Sequence, residues 1–241
     1  MIKIRKKYTA NEIRETNREK YSKNGFVGVF IRKHLSIYLT KFIVNNTSIT
    51  PNQVTFFAFF IGIITAYLLS TGNHVNLIIA GILIMFYWTL DAIDGEVARI
   101  KNICSKKGAW IDGIFDRLKD CMIFFGLSAG LYNQTSNGLA FAYGLVGLCG
   151  VLMTQIVITY TGSIFGGDGL KTSHSDFFLV RILNKLKIKP QYLALQQDVY
   201  LFLISVGVMF NKIYWVLLFF VFIMNFYWII MVGLVWFTKK E

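Results

Sequence analysis

The chain has 241 residues, of which 55% are hydrophobic and 16% aromatic, and it carries a formal net charge of +12 at pH 7. A soluble protein of this size could not bury so much apolar surface, because its outside must be largely polar. The apolar residues also gather in runs of about 20, the length that a helix needs to cross a bilayer. Composition therefore excludes an ordinary soluble domain and predicts a multi-pass membrane protein.

The positive charge lies where membrane topology predicts it. Residues 1–41 carry eleven Lys or Arg against three Glu. The other basic clusters lie between or beside apolar runs, which is typical of cytoplasmic loops. Such flanks also attract anionic lipid. The sequence shows no nucleic-acid-binding motif beside them, so we expect membrane lipid, and not a nucleic acid, as the partner of this charge.

Residues 1–49 are expected to form a cytoplasmic N-terminal segment. Within them, residues 26–45 combine apolar positions such as Phe30 and Phe42 with basic residues such as Arg32. This mixture is too charged to span a membrane and predicts an amphipathic helix at the membrane interface. A juxtamembrane helix that packs on the protein itself explains the same pattern equally well.

Residues 50–241 predict an all-α domain of six transmembrane helices. The domain opens on Thr50-Pro51, where threonine can cap a helix and proline is tolerated in the first turn. The predicted spans are residues 53–71, 75–99, 108–132, 137–162, 195–210 and 213–237. An even number of spans places both termini on one side of the cell membrane, and the basic loops predict that this side is the cytoplasm.

Four aspartates lie where the second and third predicted spans meet. Asp91 and Asp94 are near the end of the second span, and Asp112 and Asp116 are near the start of the third. Residues three or four apart share one face of a helix. Because a short loop joins the two spans as antiparallel neighbours, we expect the four carboxylates to converge near the cytoplasmic edge.

Converging carboxylates at membrane depth must be neutralised, because desolvation and mutual repulsion cost several kcal/mol for each group. Hard oxygen ligands suit Mg²⁺, Mn²⁺ or Ca²⁺, and two such ions about 4 Å apart can clamp a phosphate during phosphoryl transfer. Gly95 and Gly108 leave room for a bulky ligand, and Arg99 could reach a phosphate oxygen. Helix-end acids facing water are the plainer alternative, which explains poorly the repeated spacing on two adjoining helices.

The eight fixed residues of this segment resemble, without a mismatch, the signature of the CDP-alcohol phosphotransferase family: Asp91-x2-Asp94-Gly95-x2-Ala98-Arg99-x8-Gly108-x3-Asp112-x3-Asp116. The similarity extends to the six-helix layout and to Pro51-Asn52-x2-Thr55 at the start of the first span. The resemblance covers roughly residues 50–237. It implies an enzyme that transfers a substituted phosphate group from a CDP-alcohol to an acceptor alcohol and releases CMP, and it implies a homodimer.

The resemblance also implies a role for each residue of the signature. Asp91, Asp94 and Asp112 would bind one of two Mg²⁺ or Mn²⁺ ions, and Asp91, Asp112 and Asp116 would bind the other. Asp116 would also be the general base that takes the proton from the acceptor hydroxyl. The CDP-alcohol would lie against six residues: Asn52, Gly95, Ala98, Arg99, Ser105 and Gly108.

The motifs look most like those of the branch that contains inositol-phosphate transferases. The donor would be of the CDP-diacylglycerol, CDP-archaeol or CDP-inositol type. In the polar segment 163–194, Lys171 and Arg181 are candidates for binding an anionic acceptor, although the positive-inside rule explains both residues at least as well.

A transporter or ion pathway that uses the buried aspartates is the alternative function, since intramembrane acids often mark such pathways. In that case the acids would be spread across the midplane of the membrane, whereas here they cluster at one end of two adjacent helices. The clustering favours the enzyme.

Overall fold

The computed structural model of the chain describes residues 7–22, 35–165 and 197–238, and the regular structure in these ranges is helical. The helices are α1 (Ala10–Ser22), α2 (Ile37–Asn46), α3 (Pro51–Ser70), α4 (His74–Ile100), α5 (Lys106–Thr135), α6 (Leu139–Phe165), α7 (Gln197–Met209), α8 (Ile213–Phe219) and α9 (Asn225–Thr238). A π-helical turn at Phe220–Met224 joins α8 to α9. The predicted all-α class is confirmed.

By length and composition, four helical stretches of the described residues could cross a membrane, not the six that were predicted: Pro51–Ser70, His74–Ile100, Leu139–Phe165 and Ile213–Phe237. Helix α5, expected as the third span, has 30 residues but carries many charged side chains between Lys106 and Asp120. Helix α7, expected as the fifth, has 13 residues within the described part of the chain. The several apolar helices still indicate a multi-pass membrane protein.

Side chains at the helix beginnings explain where α3 and α5 start. The Thr50 backbone N–H donates to Gln53 Oε1 (2.9 Å), and the Gln53 N–H donates to Thr50 Oγ1 (3.4 Å), with Pro51 in the first turn. Ser105 Oγ accepts from the Gly108 N–H at 3.0 Å. Each cap satisfies a backbone donor that the first turn of a helix leaves unpaired. These two caps fix where α3 and α5 begin, next to the four aspartates of α4 and α5.

Helix α3 packs on α4 at the centre of the fold, and it also packs closely on α5. Two glycines of α5 permit this. A Cβ placed on Gly130 would lie 2.2 Å from the carbonyl oxygen of Leu69, and one on Gly126 would lie 2.6 Å from that of Ala66. Small residues let helix backbones approach in this way. The approach holds α5 against α3, in the half of α5 beyond the aspartates.

The N-terminal helices α1 and α2 pack on each other and on α4. The Tyr8 N–H donates to Asn45 Oδ1 (2.8 Å), and Asn45 Nδ2 donates back to the Tyr8 carbonyl (2.9 Å). The buried Glu96 of α4 accepts from Ser36 Oγ (2.8 Å) and Thr40 Oγ1 (2.6 Å). Hydrogen bonds between distant parts of the sequence therefore fasten the N-terminal segment to the helix that carries Asp91 and Asp94.

Helix α2 turns one face to the protein and leaves the other exposed. Ile37, Thr40 and Val44 are buried, whereas Tyr38 and Phe42 are 60% exposed. Residues 26–34, the first part of the predicted amphipathic stretch, lie outside the described residues. The interfacial position of the helix, and the division of the chain into residues 1–49 and 50–241, stay predictions.

We expect Gly130→Ala to lower the melting temperature of the detergent-solubilised protein. The added methyl group would overlap the Leu69 carbonyl, and overpacking of this kind costs about 1–3 kcal/mol. Gly233→Ala is the matched control, because a Cβ at that helical position meets nothing within 4 Å. Differential scanning fluorimetry of both variants measures the effect, and equal melting temperatures would contradict the close α3–α5 crossing.

Candidate active site

A cavity of about 360 Å³ lies between the C-terminal end of α4 and the N-terminal ends of α3 and α5. Every candidate residue within the described part of the chain lines it: Asn52, Asp91, Asp94, Gly95, Ala98, Arg99, Ser105, Gly108, Asp112 and Asp116. Gln197, at the start of α7, and Trp88 of α4 also line it. Lys171 and Arg181 lie outside the described residues. The helical spacing and the short α4–α5 loop thus bring the signature to one place.

Three of the four aspartates converge closely. One carboxylate oxygen from each of Asp91, Asp112 and Asp116 lies within 4.8 Å of the other two. All three residues are partly buried at the cavity wall. Several carboxylate oxygens at this separation form a donor set that a hard divalent cation prefers. The residues present therefore fit the metal ions that the motif implies.

Asp94 lies on the same cavity but outside this group of three. It is 6% exposed, and its Oδ2 accepts a hydrogen bond of 2.6 Å from Thr55 Oγ1. The same hydroxyl lies 3.2 Å from the Pro51 carbonyl oxygen. The Pro51-Asn52-x2-Thr55 motif thus has a physical reason, since its last residue holds an aspartate of the neighbouring helix.

Three of the six proposed donor-binding residues meet at the start of α5. A Cβ on Gly108 would lie 3.1 Å from Ser105 Oγ and 3.5 Å from Asn52 Oδ1. The absence of a side chain at Gly108 keeps this edge of the cavity open, with two polar side chains beside it. Such an edge can accept the hydrogen bonds of a nucleotide.

Arg99 folds back along α4 and is held from α1. A Cβ on Gly95 would lie 3.1 Å from Arg99 Nη1. The Nε of Arg99 donates to Asn17 Oδ1, and the buried Asn17 donates through Nδ2 to the Ile13 carbonyl at 2.8 Å. Residues 1–25 had no predicted role at this site. No local signal could have found Asn17, because its partner is 82 positions away in the chain.

Lys119 lies inside the aspartate cluster and was missed from the sequence. Its Nζ lies 2.7 Å from Asp91 Oδ1 and 3.0 Å from Asp116 Oδ1, and its side chain is 2% exposed. The ammonium also lies 5.2 Å from the centroid of the Tyr87 ring, a cation–π distance. Two signals could have found it: a basic residue within a predicted membrane span, and the i+3 spacing from Asp116.

A second missed group links the site to α7. Arg117 Nη1 lies 3.2 Å from Asp120 Oδ2, and Tyr200 Oη donates to Asp120 Oδ1 at 2.9 Å. Asp120 and Tyr200 are buried. Arg117 Nη2 also lies 4.0 Å from Asp116 Oδ2. Asp116 therefore has a cation near each carboxylate oxygen, Lys119 beside Oδ1 and Arg117 beside Oδ2.

Comparison with known proteins places this site in a family. A family model described as CDP-alcohol phosphatidyltransferase matches residues 48–238. A bifunctional IPC transferase and DIPP synthase of Archaeoglobus fulgidus is 28% identical over 222 residues, which is 88% of this chain and 40% of that protein. A protein of the same name from Thermococcus kodakarensis is 32% identical over 160 residues, 66% of this chain and 34% of its own length.

A further relative is the archaetidylinositol phosphate synthase of Pyrococcus horikoshii, 40% identical over 82 residues, which is 34% of this chain and 42% of that protein. The chain thus spans between 34% and 42% of the length of these three curated relatives. Their names match the inositol-phosphate branch that the motifs favoured, so that prediction is confirmed.

We expect Thr55→Val to destabilise the protein, because it removes the hydrogen bond to the buried Asp94 carboxylate. A buried acceptor left without its donor costs about 1–3 kcal/mol. Thr55→Ser is the matched control, since it keeps the hydroxyl. Thermal unfolding in EDTA, which removes any contribution from bound metal, should give a lower melting temperature for the valine variant than for the serine variant. The reverse order would contradict this role of Thr55.

Proposed function

The chain belongs to the CDP-alcohol phosphatidyltransferase family, and on that premise we propose that it transfers a substituted phosphate group from a CDP-alcohol to an acceptor alcohol with release of CMP. One observation supports this most directly. All eight residues of the signature line a single cavity, and three of its aspartates bring their oxygens within 4.8 Å of one another. A phosphate-transfer site needs such a group of acids beside a space for the nucleotide.

Two Mg²⁺ or Mn²⁺ ions are proposed at this cluster. Asp91, Asp94 and Asp112 would hold one ion, and Asp91, Asp112 and Asp116 the other. When bound, the ions would neutralise the carboxylates and stabilise the negative charge of the phosphates during transfer. Thr55, through its hydrogen bond to Asp94 Oδ2, would keep that carboxylate oriented toward the cavity.

Asp116 is the proposed general base. The acceptor hydroxyl would donate to its carboxylate and lose the proton as the new O–P bond forms. The O–P bond to CMP then breaks, and CMP leaves with the electron pair. An aspartate is an adequate base here because its position and that of the acceptor are fixed. The flanking Lys119 and Arg117 would keep the Asp116 carboxylate from rotating.

The nucleotide end of the donor is proposed to lie at the edge formed by Asn52, Ser105 and Gly108, with Gly95 and Ala98 along α4. Arg99 would bind a phosphate oxygen, because a guanidinium and a phosphate form strong paired hydrogen bonds. The hydrogen bond from Arg99 Nε to Asn17 would set the direction of that guanidinium.

The substrates are proposed to belong to the inositol-phosphate class. The names of the relatives support this choice. A CDP-inositol donor and a lipid donor of the CDP-diacylglycerol or CDP-archaeol type are the two forms that the family branch allows. Lys171 and Arg181 remain candidates for binding a phosphate on the acceptor.

The membrane topology is also a proposal. Helix α5 packs against α3 and α6, which are both long and apolar enough to span, and α7 packs against α4. We propose that α5 and α7 complete six spans, with both termini and the cavity on the cytoplasmic side of the cell membrane, where a soluble nucleotide could leave. The family resemblance further suggests a homodimer.

We expect Asp116→Asn to reduce CMP release by about 10²- to 10⁴-fold, the usual contribution of a general base, while binding of the donor is largely kept. Purified protein with Mg²⁺ or Mn²⁺, a panel of CDP-inositol, CDP-diacylglycerol and CDP-archaeol, and a panel of alcohol acceptors gives the measurement. Glu15→Gln, at an exposed acid on α1, is the control and should turn over normally. Normal turnover in Asp116→Asn would contradict the proposed function.

We expect Asn17→Ala to raise KM for the CDP-alcohol by about tenfold and to change kcat less. Loss of a hydrogen bond to a charged group is worth about 1.5–3 kcal/mol, and Arg99 would lose its fixed direction. Asn17→Asp keeps an acceptor for Arg99 Nε and should restore most of the affinity. Steady-state kinetics of the folded variants tests this, and an unchanged KM in Asn17→Ala would show that α1 does not position Arg99.

A further inference from the structure

The side chain of Lys119 is buried, and its surroundings hold the ammonium beside Asp91 and Asp116. A Cβ on Gly62 of α3 would lie 3.0 Å from Lys119 Cγ and 3.3 Å from Cδ, so the lysine stem fills the space that this glycine leaves. The ring of Tyr87 on α4 lies against the ammonium, with its centroid 5.2 Å from Lys119 Nζ. Helices α3 and α4 thus surround the stem, and the side chain has almost no contact with solvent.

The ammonium of Lys119 also lies between two of the aspartates that are proposed to bind metal. It lies within 3.0 Å of one oxygen of Asp91 and one oxygen of Asp116, which are two of the three residues whose oxygens converge. A metal ion that bridged the same two oxygens would need the same space. The ammonium and that ion therefore exclude each other unless the lysine head moves.

The net charge of the cluster also favours one bound divalent ion over two. The four aspartates and Lys119 together carry a formal charge of −3. One divalent ion would leave −1, whereas a second would make the cluster positive. A positive cluster at membrane depth is costly by itself, but it is suited to a pyrophosphate, in which each diester phosphate brings a negative charge.

We propose that Lys119 is an internal cation that fills the position of one divalent ion in the donor-free protein. The donor-free site then binds one divalent ion, and the second binds together with the pyrophosphate of the CDP-alcohol. This inference rests on the proposed function. The flexible lysine stem allows the head to move off the shared position while the stem stays beside Gly62. Occupation of the full metal site is thereby coupled to the arrival of the donor.

The test is a count of bound Mn²⁺ by electron paramagnetic resonance on the full chain in detergent, with and without CDP as the pyrophosphate probe. The unchanged protein should bind one Mn²⁺ per chain tightly without CDP and a second when CDP is present. Lys119→Met should bind two without CDP, with the Kd of the second lowered by about tenfold or more, because a like charge next to it is gone.

Two further variants keep the test decisive. Lys41→Met changes an exposed lysine of α2 and should behave as the unchanged protein. Lys119→Arg keeps a cation and should bind one Mn²⁺ without CDP, so it tests the inference even where the methionine variant fails to fold. Two tight Mn²⁺ ions in the CDP-free unchanged protein, or an unchanged count in folded Lys119→Met, would overturn the role of Lys119 alone. Absence of Mn²⁺ binding in every variant would overturn the proposed metal site as well.

Discussion

The burial of carboxylates between apolar helices is the constraint on which the rest of the site depends. Asp91, Asp112 and Asp116 bring their oxygens together where α4 ends and α5 begins, and all three are partly buried there. Like charges this close are unfavourable unless cations or donors compensate for them. The helices around the cluster supply that compensation in part, through Lys119 and Arg117 on α5 and Thr55 on α3.

Hydrogen bonds to distant parts of the chain also fix the positions of α4 and α5, the two helices that carry the aspartates. Ser36 and Thr40 bind Glu96, two positions after Asp94, and so fasten α2 to α4. Tyr200 binds Asp120, one turn after Asp116, and fastens α7 to α5. Local hydrogen bonds could not fix these walls, because the aspartates stand on two different helices. Long-range polar contacts beside the site give the rigidity that a binding site for small cations needs.

The sequence was sufficient to place the aspartates because their arrangement depends on local geometry. Helical spacing sets which faces of α4 and α5 carry the aspartates, and the short loop keeps the end of α4 near the start of α5. Thr50 and Ser105 cap their helices as such residues commonly do. Contacts between residues that are far apart in the chain could not be predicted from local spacing. Asn17 and Arg99 are 82 residues apart, and nothing in the local pattern of either one predicts the other. Lys119 is different, since a lysine within a predicted span and three positions after Asp116 is a local signal for the site.

The difference between the six predicted spans and the four stretches that are long and apolar enough to cross a membrane has a related cause. A hydropathy average treats a helix as uniform around its axis, whereas a helix that carries an active site is polar on one face by necessity. The charged residues that lower the average for α5 include Asp112, Asp116, Arg117, Lys119 and Asp120. These are the residues that line the cavity or bind one another around it. In a membrane enzyme whose site lies between helices, the helix that contributes most to the chemistry is therefore the one that composition alone is least able to assign to the membrane.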